Sequence, residues 1–163
     1  VGEIKSRIEV FIAGSGPGYV EISDYISDKP WVTMHGPYNY EKEIVGLYEK
    51  VDCVYSVYDT KLDNVRIALP NRLYEAIVCE LPIIASEDTV LGKFIEDNRI
   101  GITIDSRDRN NLKNKLSMWA SKPDLIEEYA NNCRVIKDDY YYETNGYKLL
   151  DVYYQLVGHE STK

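Results

Sequence analysis

The sequence predicts an α/β fold, a parallel sheet of about five strands flanked by helices and followed by extra C-terminal helices. Three observations predict it. Short β-rich runs bounded by Gly and Pro recur along the first two thirds of the chain, helix-period segments lie between them, and the pattern after the fifth run is purely helical. Strands that alternate with helices are joined by right-handed crossovers, which makes the sheet parallel and covers both of its faces. This is a Rossmann-like architecture.

The elements follow in order. Residues 8–13 (IEVFIA) form the first run, closed by Gly14-Ser15-Gly16-Pro17-Gly18. Residues 31–35 form the second, closed by Gly36-Pro37; residues 52–58, 82–86 and 100–104 form the third, fourth and fifth. Between them, residues 40–50 carry Ile44, Leu47, Tyr48 and Val51 as one apolar helical stripe. Residues 71–80 and 89–97 read as two more helices, whereas residues 18–27 fit the helical period poorly. Beyond the fifth run, Leu112, Leu116 and Trp119 share a stripe. Pro123 opens a helix with Leu125, Tyr129, Cys133, Ile136 and Tyr140 on one face, and residues 146–157 close the chain with Leu149, Leu150, Tyr153 and Val157. The pattern contains no repeat, low-complexity tract or linker, so residues 1–163 read as one domain.

Composition narrows the function. Hydrophobic residues make up 44% and charged residues 28%, which is too apolar for disorder. No apolar run approaches the roughly 20 residues of a membrane-spanning helix, and the N-terminus has no signal-peptide pattern. The chain begins at Val1, which reads as a fragment of a longer protein. A net charge of −8 argues against nucleic acid as a partner. Cys53, Cys79 and Cys133 are an odd, widely spaced set, so they read as reduced thiols of a cytoplasmic protein, with no metal site and no cofactor.

Ligands of open parallel sheets bind beyond the carboxyl ends of the strands, so the loops after Ala13, His35, Tyr58 and Ser86 are the places for chemistry. The loop carrying Gly14 and Gly16 is not a dinucleotide fingerprint, because the third glycine of that pattern falls at Tyr19 and no acid ends the second strand. It reads either as a tight turn or as a close approach of backbone to ligand. Pro70 stands at the start of a helix whose first N–H groups lack internal partners and favour an anion. A diphosphate fits there, with Arg72 adding a charge-assisted contact. Glu75 lies one turn on; taken alone it reads first as a solvated helix carboxylate.

The run from Ala68 through Ile77 (ALPNRLYEAI), followed by Leu81-Pro82-Ile83-Ile84-Ala85-Ser86, resembles the "PNKLFEAM…GKPVI" signature of family 4 (group 1) glycosyltransferases. Ile12-Ala13-Gly14-Ser15-Gly16-Pro17 resembles that family's "GxGP" loop. Val32 to Pro37 with Glu43-Ile44 and Leu47-Tyr48 resembles its "V.F.G…EI..LY" stretch. Asp52-Cys53-Val54-Tyr55, Ile100-Gly101-Ile102 and the tail from Tyr141-Tyr142-Glu143 to Tyr153 continue the likeness in the right order.

The resemblance implies the C-terminal, donor-binding domain of a GT-B enzyme, transferring a sugar from a nucleotide diphosphate sugar to a glycan or lipid-linked acceptor in bacterial surface polysaccharide synthesis. It implies donor contacts at Gly14, Gly16, Gly36, Pro70, Asn71, Arg72, Leu73 and Glu75, with Glu75 as the catalytic-site carboxylate that holds ribose hydroxyls. It also implies a missing N-terminal acceptor domain, without which the fragment is inactive, and a full-length enzyme without transmembrane segments that is peripheral to a membrane. The sequence departs from the family in three places. The first Glu of the E-x₇-E pair falls at Ile67; Glu80 replaces a glycine, as a surface variation; and nothing before Ile8, Lys5 and Arg7 included, supplies the family's opening strand and Arg…Lys clamp. Removing that strand predicts the order 2-1-3-4-5, with the first and third strands closing up over the gap.

Two other functions suit the same architecture. A sugar-nucleotide epimerase would use His35 at the end of the second strand. A non-catalytic flavodoxin-like binding module of the signalling-receiver type would need acids after the first strand and a Lys ending the fifth, where glycines and Ile104-Asp105 stand.

Overall fold

The computed structural model describes residues 8–157. Its strands are β1 (Val10–Ala13), β2 (Val32–Gly36), β3 (Val54–Ser56), β4 (Ile83–Ser86) and β5 (Gly101–Ile104), and every pairing among them is parallel. The helices are α1 (Tyr19–Ile26), α2 (Tyr40–Tyr48), α3 (Asp63–Ile67), α4 (Asn71–Val78), α5 (Val90–Asn98), α6 (Arg109–Ala120), α7 (Pro123–Ile136) and α8 (Tyr142–Val157), with a 3₁₀ turn (Lys137–Asp139) before the last. Helices separate successive strands and more helices follow the fifth, as the sequence predicts.

The strands form two sheets, β1-β2 and β3-β4-β5. The neighbour order within each is the expected one, but β1 does not close on β3, and this corrects the expectation of a continuous sheet. The helix layer supplies the reason. A helix with its side chains is about 10 Å across, as wide as two strand spacings. α2, which contacts both the β1-β2 pair and α4, is therefore wide enough to keep β1 and β3 from pairing. Side chains of α2 and its C-terminal end reach both sheets: Tyr40 and Tyr48 bond Glu75 on α4, and Lys50 Nζ lies 5.6 Å from the centre of the Phe11 ring on β1.

The core belongs to the three-stranded sheet. Val54, Ile83 and Ala85 pack on one face with Leu73, Ala76 and Ile77 of α4, Leu91 and Ile95 of α5, and Cys133 of α7. Ile84, Ile102 and Ile104 pack on the other face with Trp119 of α6 and with Leu112, Leu116, Leu125 and Tyr129. The alternation of Ile83, Ile84 and Ala85 between the two faces is the period of a strand covered on both sides. By contrast β1 keeps no fully buried residue, and α1 forms a regular helix although it buries none. The stripe predicted on α8 exists but stays exposed: Leu149, Leu150, Tyr153 and Val157 are all open to solvent.

Glu80 is more than a surface variation. It sits in the left-handed region (φ 58°) just past the end of α4, where its N–H donates to Ile77 O (3.0 Å) while Leu81 N–H donates to Ala76 O (2.9 Å). These two bonds close the helix in a Schellman arrangement that normally takes glycine. The glutamate offsets its strain by gripping α7 and the turn after it: Glu80 Oε2 accepts from Arg134 Nε (2.8 Å) and Glu80 Oε1 from Lys137 Nζ (2.5 Å). Those two cations hold its carboxyl down at about 2.

Candidate functional site

The loops after β1 and β2 are knit together at the carboxyl ends of those strands. Gly14 N–H donates to Gly36 O (2.8 Å). Both residues have positive φ, 136° and 85°, which a residue with a Cβ adopts at a cost. At Gly36 a Cβ would also stand 3.1 Å from Tyr19 Oη. Gly16 is exposed and accepts a bond from Tyr19 N–H (3.0 Å), which turns the chain into α1.

α4 begins where the sequence places it. Pro70 is its N-cap residue in extended geometry (φ −75°, ψ 153°), and Leu73 N–H donates to Pro70 O (2.9 Å). The N–H groups of Asn71 and Arg72 therefore precede the helix's own hydrogen-bond ladder. Asn71 and Arg72 are exposed, and Arg72 Nη1 donates to Tyr55 O on β3 (3.1 Å). Leu73 does not share this opening. It is fully buried in the core and its N–H is already used, so its part is to seat the helix rather than to meet a ligand.

Glu75, one turn along, is half-buried and doubly bonded. Tyr40 Oη donates to Glu75 Oε1 (2.5 Å) and Tyr48 Oη donates to Glu75 Oε2 (2.6 Å). The hydrogen bond to Glu75, with some burial, pushes the Tyr40 phenol up to about 12. Burial first, and then the bond to Glu75, drives Tyr48 higher still. Both phenols remain protonated donors at neutral pH. Tyr48 belongs to the apolar stripe that the sequence predicts on α2, and Tyr40 lies outside that stripe. The signal available there was two phenols on one helix preceding a helix with a single carboxylate.

A cavity of about 260 Å³ opens beside the start of α4, at the carboxyl ends of β3 and β4. Ser56, Tyr58, Asn64, Pro70, Ser86 and Leu91 line it. Ser86 Oγ fixes its rim by donating to Tyr58 O (2.8 Å) and accepting from Tyr58 N–H (2.9 Å). A larger cleft of about 740 Å³ runs between α3 and α5. Ile67, where the first carboxylate of the family pair would stand, is on its wall. Five carboxylates, those of Asp63, Glu87, Asp88, Glu96 and Asp97, face it against the cations of Arg66 and Lys93. That balance disfavours a diphosphate in this cleft, whereas the lining of the smaller opening carries no charged side chain.

His35 lies with its Nε2 3.7 Å from Glu43 Oε1 and its ring 5.8 Å from that of Phe11. Glu43 in turn accepts from Asn39 N–H at the start of α2 (2.6 Å). These contacts join β1, β2 and α2. Among the described residues no group of three or more His, Cys, Asp or Glu could hold a metal ion. Lys5 and Arg7 lie outside the described residues.

Parallel strands with interposed helices, glycine loops at the strand ends and a proline-initiated helix beside them define a Rossmann-like α/β domain of the GT-B type. Residues 1–122 match the family described as glycosyl transferases group 1, and the chain belongs to that family. It is similar to the succinoglycan biosynthesis protein ExoL of Rhizobium meliloti (strain 1021), 25% identical over 114 residues that cover 68% of this chain and 28% of that protein. Its fold is shared by WaaG, a glycosyltransferase involved in lipopolysaccharide biosynthesis (TM-score 0.63, 18% identity, 92% of this chain and 41% of that one). It is also shared by sucrose-phosphate synthase from Thermosynechococcus elongatus (TM-score 0.69, 19% identity, 92% and 39%). The chain thus spans less than half the length of each of these proteins.

Proposed function

We propose that this chain is the donor-binding domain of a glycosyltransferase that moves a hexosyl group from a nucleotide diphosphate sugar to a glycan or lipid-linked acceptor. The observation that carries the reading is the opening of α4: Pro70 sets the helix start, the N–H groups of Asn71 and Arg72 precede its ladder, and Glu75 follows one turn later. The diphosphate lies against those N–H groups, where the helix dipole and the Arg72 guanidinium both favour negative charge. The glycine carbonyl and amide groups at Gly14, Gly16 and Gly36 let the ligand approach the backbone closely. Glu75 accepts from hydroxyls of the nucleoside.

Family membership supports sugar transfer, and the likeness to ExoL supports surface polysaccharide as the product. The acceptor is held by a separate N-terminal domain, so the isolated chain binds donor without turning it over. Free Cys53, Cys79 and Cys133 suit a reducing compartment, and we assign the protein to the cytoplasm. Among the described residues no helix is long and apolar enough to cross a membrane.

A thermal-shift panel of uridine, guanosine and adenosine diphosphate sugars tests the reading. A ligand at 100 times its Kd adds about 2.7 kcal/mol of apparent stability. One nucleotide series is expected to raise Tm; a flat response across all three, repeated by calorimetry, would place the donor site on another domain.

A further inference from the structure

Each oxygen of the Glu75 carboxylate is met by a different phenol, Oε1 by Tyr40 and Oε2 by Tyr48. The two tyrosines stand at opposite ends of α2. Tyr48 is half-buried and packs against the core formed by Val54, Leu73 and Ile77. Tyr40 is the first residue of α2, whose start is fixed from both sides: Asn39 Oδ1 accepts from Lys42 N–H (3.1 Å) and Glu43 Oε2 accepts from Asn39 N–H (2.6 Å). A glutamate on a helix surface ordinarily samples several rotamers, and a ligand that needs one of them must bear the cost of ordering it. Here the ordering is built into the fold.

The bonding count also matters. An ionised carboxylate offers about four acceptor positions on its two oxygens. Two are filled by the phenols. Two remain, one on each oxygen, which is the number a vicinal pair of hydroxyls requires.

We propose that Tyr40 and Tyr48 are positioning residues of the donor site: they hold the Glu75 carboxylate in one orientation, so that its two remaining acceptor positions receive the 2′- and 3′-hydroxyls of a ribonucleoside. This rests on the assignment of Glu75 to the donor. The tyrosines touch the carboxylate and not the ligand, so their effect is selective. They govern the preference for a ribonucleotide over its 2′-deoxy counterpart, while the diphosphate contacts at Asn71 and Arg72 are unaffected. That the phenols remain protonated at neutral pH agrees with their role as donors.

The test is calorimetric titration of the full-length protein with uridine, guanosine and adenosine diphosphates and with the 2′-deoxy form of each. Wild type, Tyr40→Phe, Tyr48→Phe and Glu75→Gln are compared. Each Tyr→Phe variant keeps its ring, and Tyr40 is exposed, so at least that variant folds normally. The expected result is a loss of about fivefold in ribonucleotide affinity per tyrosine, the effect of one net hydrogen bond. Deoxynucleotide affinity is expected to change less than twofold, so the discrimination ratio collapses towards that of Glu75→Gln. Equal losses for both nucleotides would reduce the tyrosines to a structural role, and tighter binding in either variant would make them a latch that competes with the ligand; both outcomes overturn the proposal. A collapse in Glu75→Gln without one in the tyrosine variants overturns it while leaving the donor site intact. No change in Glu75→Gln, or no binding by wild type, overturns the donor-site assignment itself and this inference with it.

Discussion

At the scale of single residues, the proposed donor site divides its work between Glu75 and Arg72 by chemistry. A carboxylate meets hydroxyls; a guanidinium meets phosphate oxygens in a fixed fork. Hydrogen bonds to a charged group contribute about 1.5–3 kcal/mol. Glu75→Gln is therefore expected to lower donor affinity or turnover about tenfold or more, in a chain that still folds but melts some degrees lower because Tyr40 and Tyr48 lose a charged acceptor. Arg72→Ala should weaken the nucleoside diphosphate with or without its sugar, because its partner is the phosphate. Calorimetry with the nucleotide chosen by the thermal-shift panel reads both. Glu80 makes a different prediction. Its carboxyl lies at about 2 in the folded protein, below the roughly 4.3 of an unfolded chain. A depressed value means stability that is fully present above the unfolded value and lost as pH falls from there through about 2. Glu80→Gln is accordingly expected to be less stable than wild type at pH 6, with the difference closing below pH ~4. Denaturant titrations across that range would show it, and a constant difference at every pH would remove Glu80 as the titrating group.

At the scale of elements, glycine decides one strand outright. A Cβ on Gly101 would stand 1.9 Å from Ile83 O, and the obstruction is backbone of the neighbouring strand, which cannot swing aside. Gly101→Ala should cost about 1–3 kcal/mol, the range for overpacking, and a thermal melt would show a fall of several degrees. That glycine was visible in the sequence as part of Ile100-Gly101-Ile102, and so were all five strands, because each is a short apolar run with Gly, Pro or Asp at its ends. α2, α4, α5 and α7 were visible for a related reason: each buries one face, and burial writes a period into the sequence. α3 leaves no such period in the sequence, because its five residues complete little more than one turn and bury nothing. The clasp of Tyr40 and Tyr48 on Glu75 was illegible for another reason. It spans 35 and 27 residues and depends on how two helices sit side by side, which neither helix's pattern encodes. The Gly14–Gly36 link between two loops is of the same kind.

At the scale of the whole molecule, the division of the strands into two sheets implies unequal stability. The three-stranded sheet is covered on both faces, with Ile83, Ala85, Ile95 and Ile100 essentially inaccessible. The β1-β2 pair has Val10 exposed, buries no large side chain fully, and leaves the β1 edge away from β2 outside any sheet. Two strands alone are marginal in water, and amides open locally at free energies that track the burial around them. Lys50 on Phe11 and Glu43 beside His35 are the side chains of α2 and its end that steady the pair, and such exposed contacts contribute little each. Hydrogen exchange of the 163-residue chain is therefore expected to divide in two. Amides of Ile84 and Ala85 on β4 should exchange near the rate of global unfolding, and those of Phe11 and Ile12 on β1 about 100-fold faster or more. Denaturant below the unfolding midpoint should speed exchange of the β4 amides far more than that of the β1 amides, since opening of β1-β2 exposes little surface and so has a small m-value. Since Gly14 and Gly36 belong to the less stable half and Pro70 to the more stable one, a donor that spans both should protect β1 and β2 on binding while leaving β4 nearly unchanged. Peptide-resolved exchange with and without the nucleotide measures this directly. Equal protection of β1 and β4 in the free chain would mean that α2 couples the two sheets into one cooperative unit. Ligand protection confined to α4 would mean that the glycine loops take no part in the site.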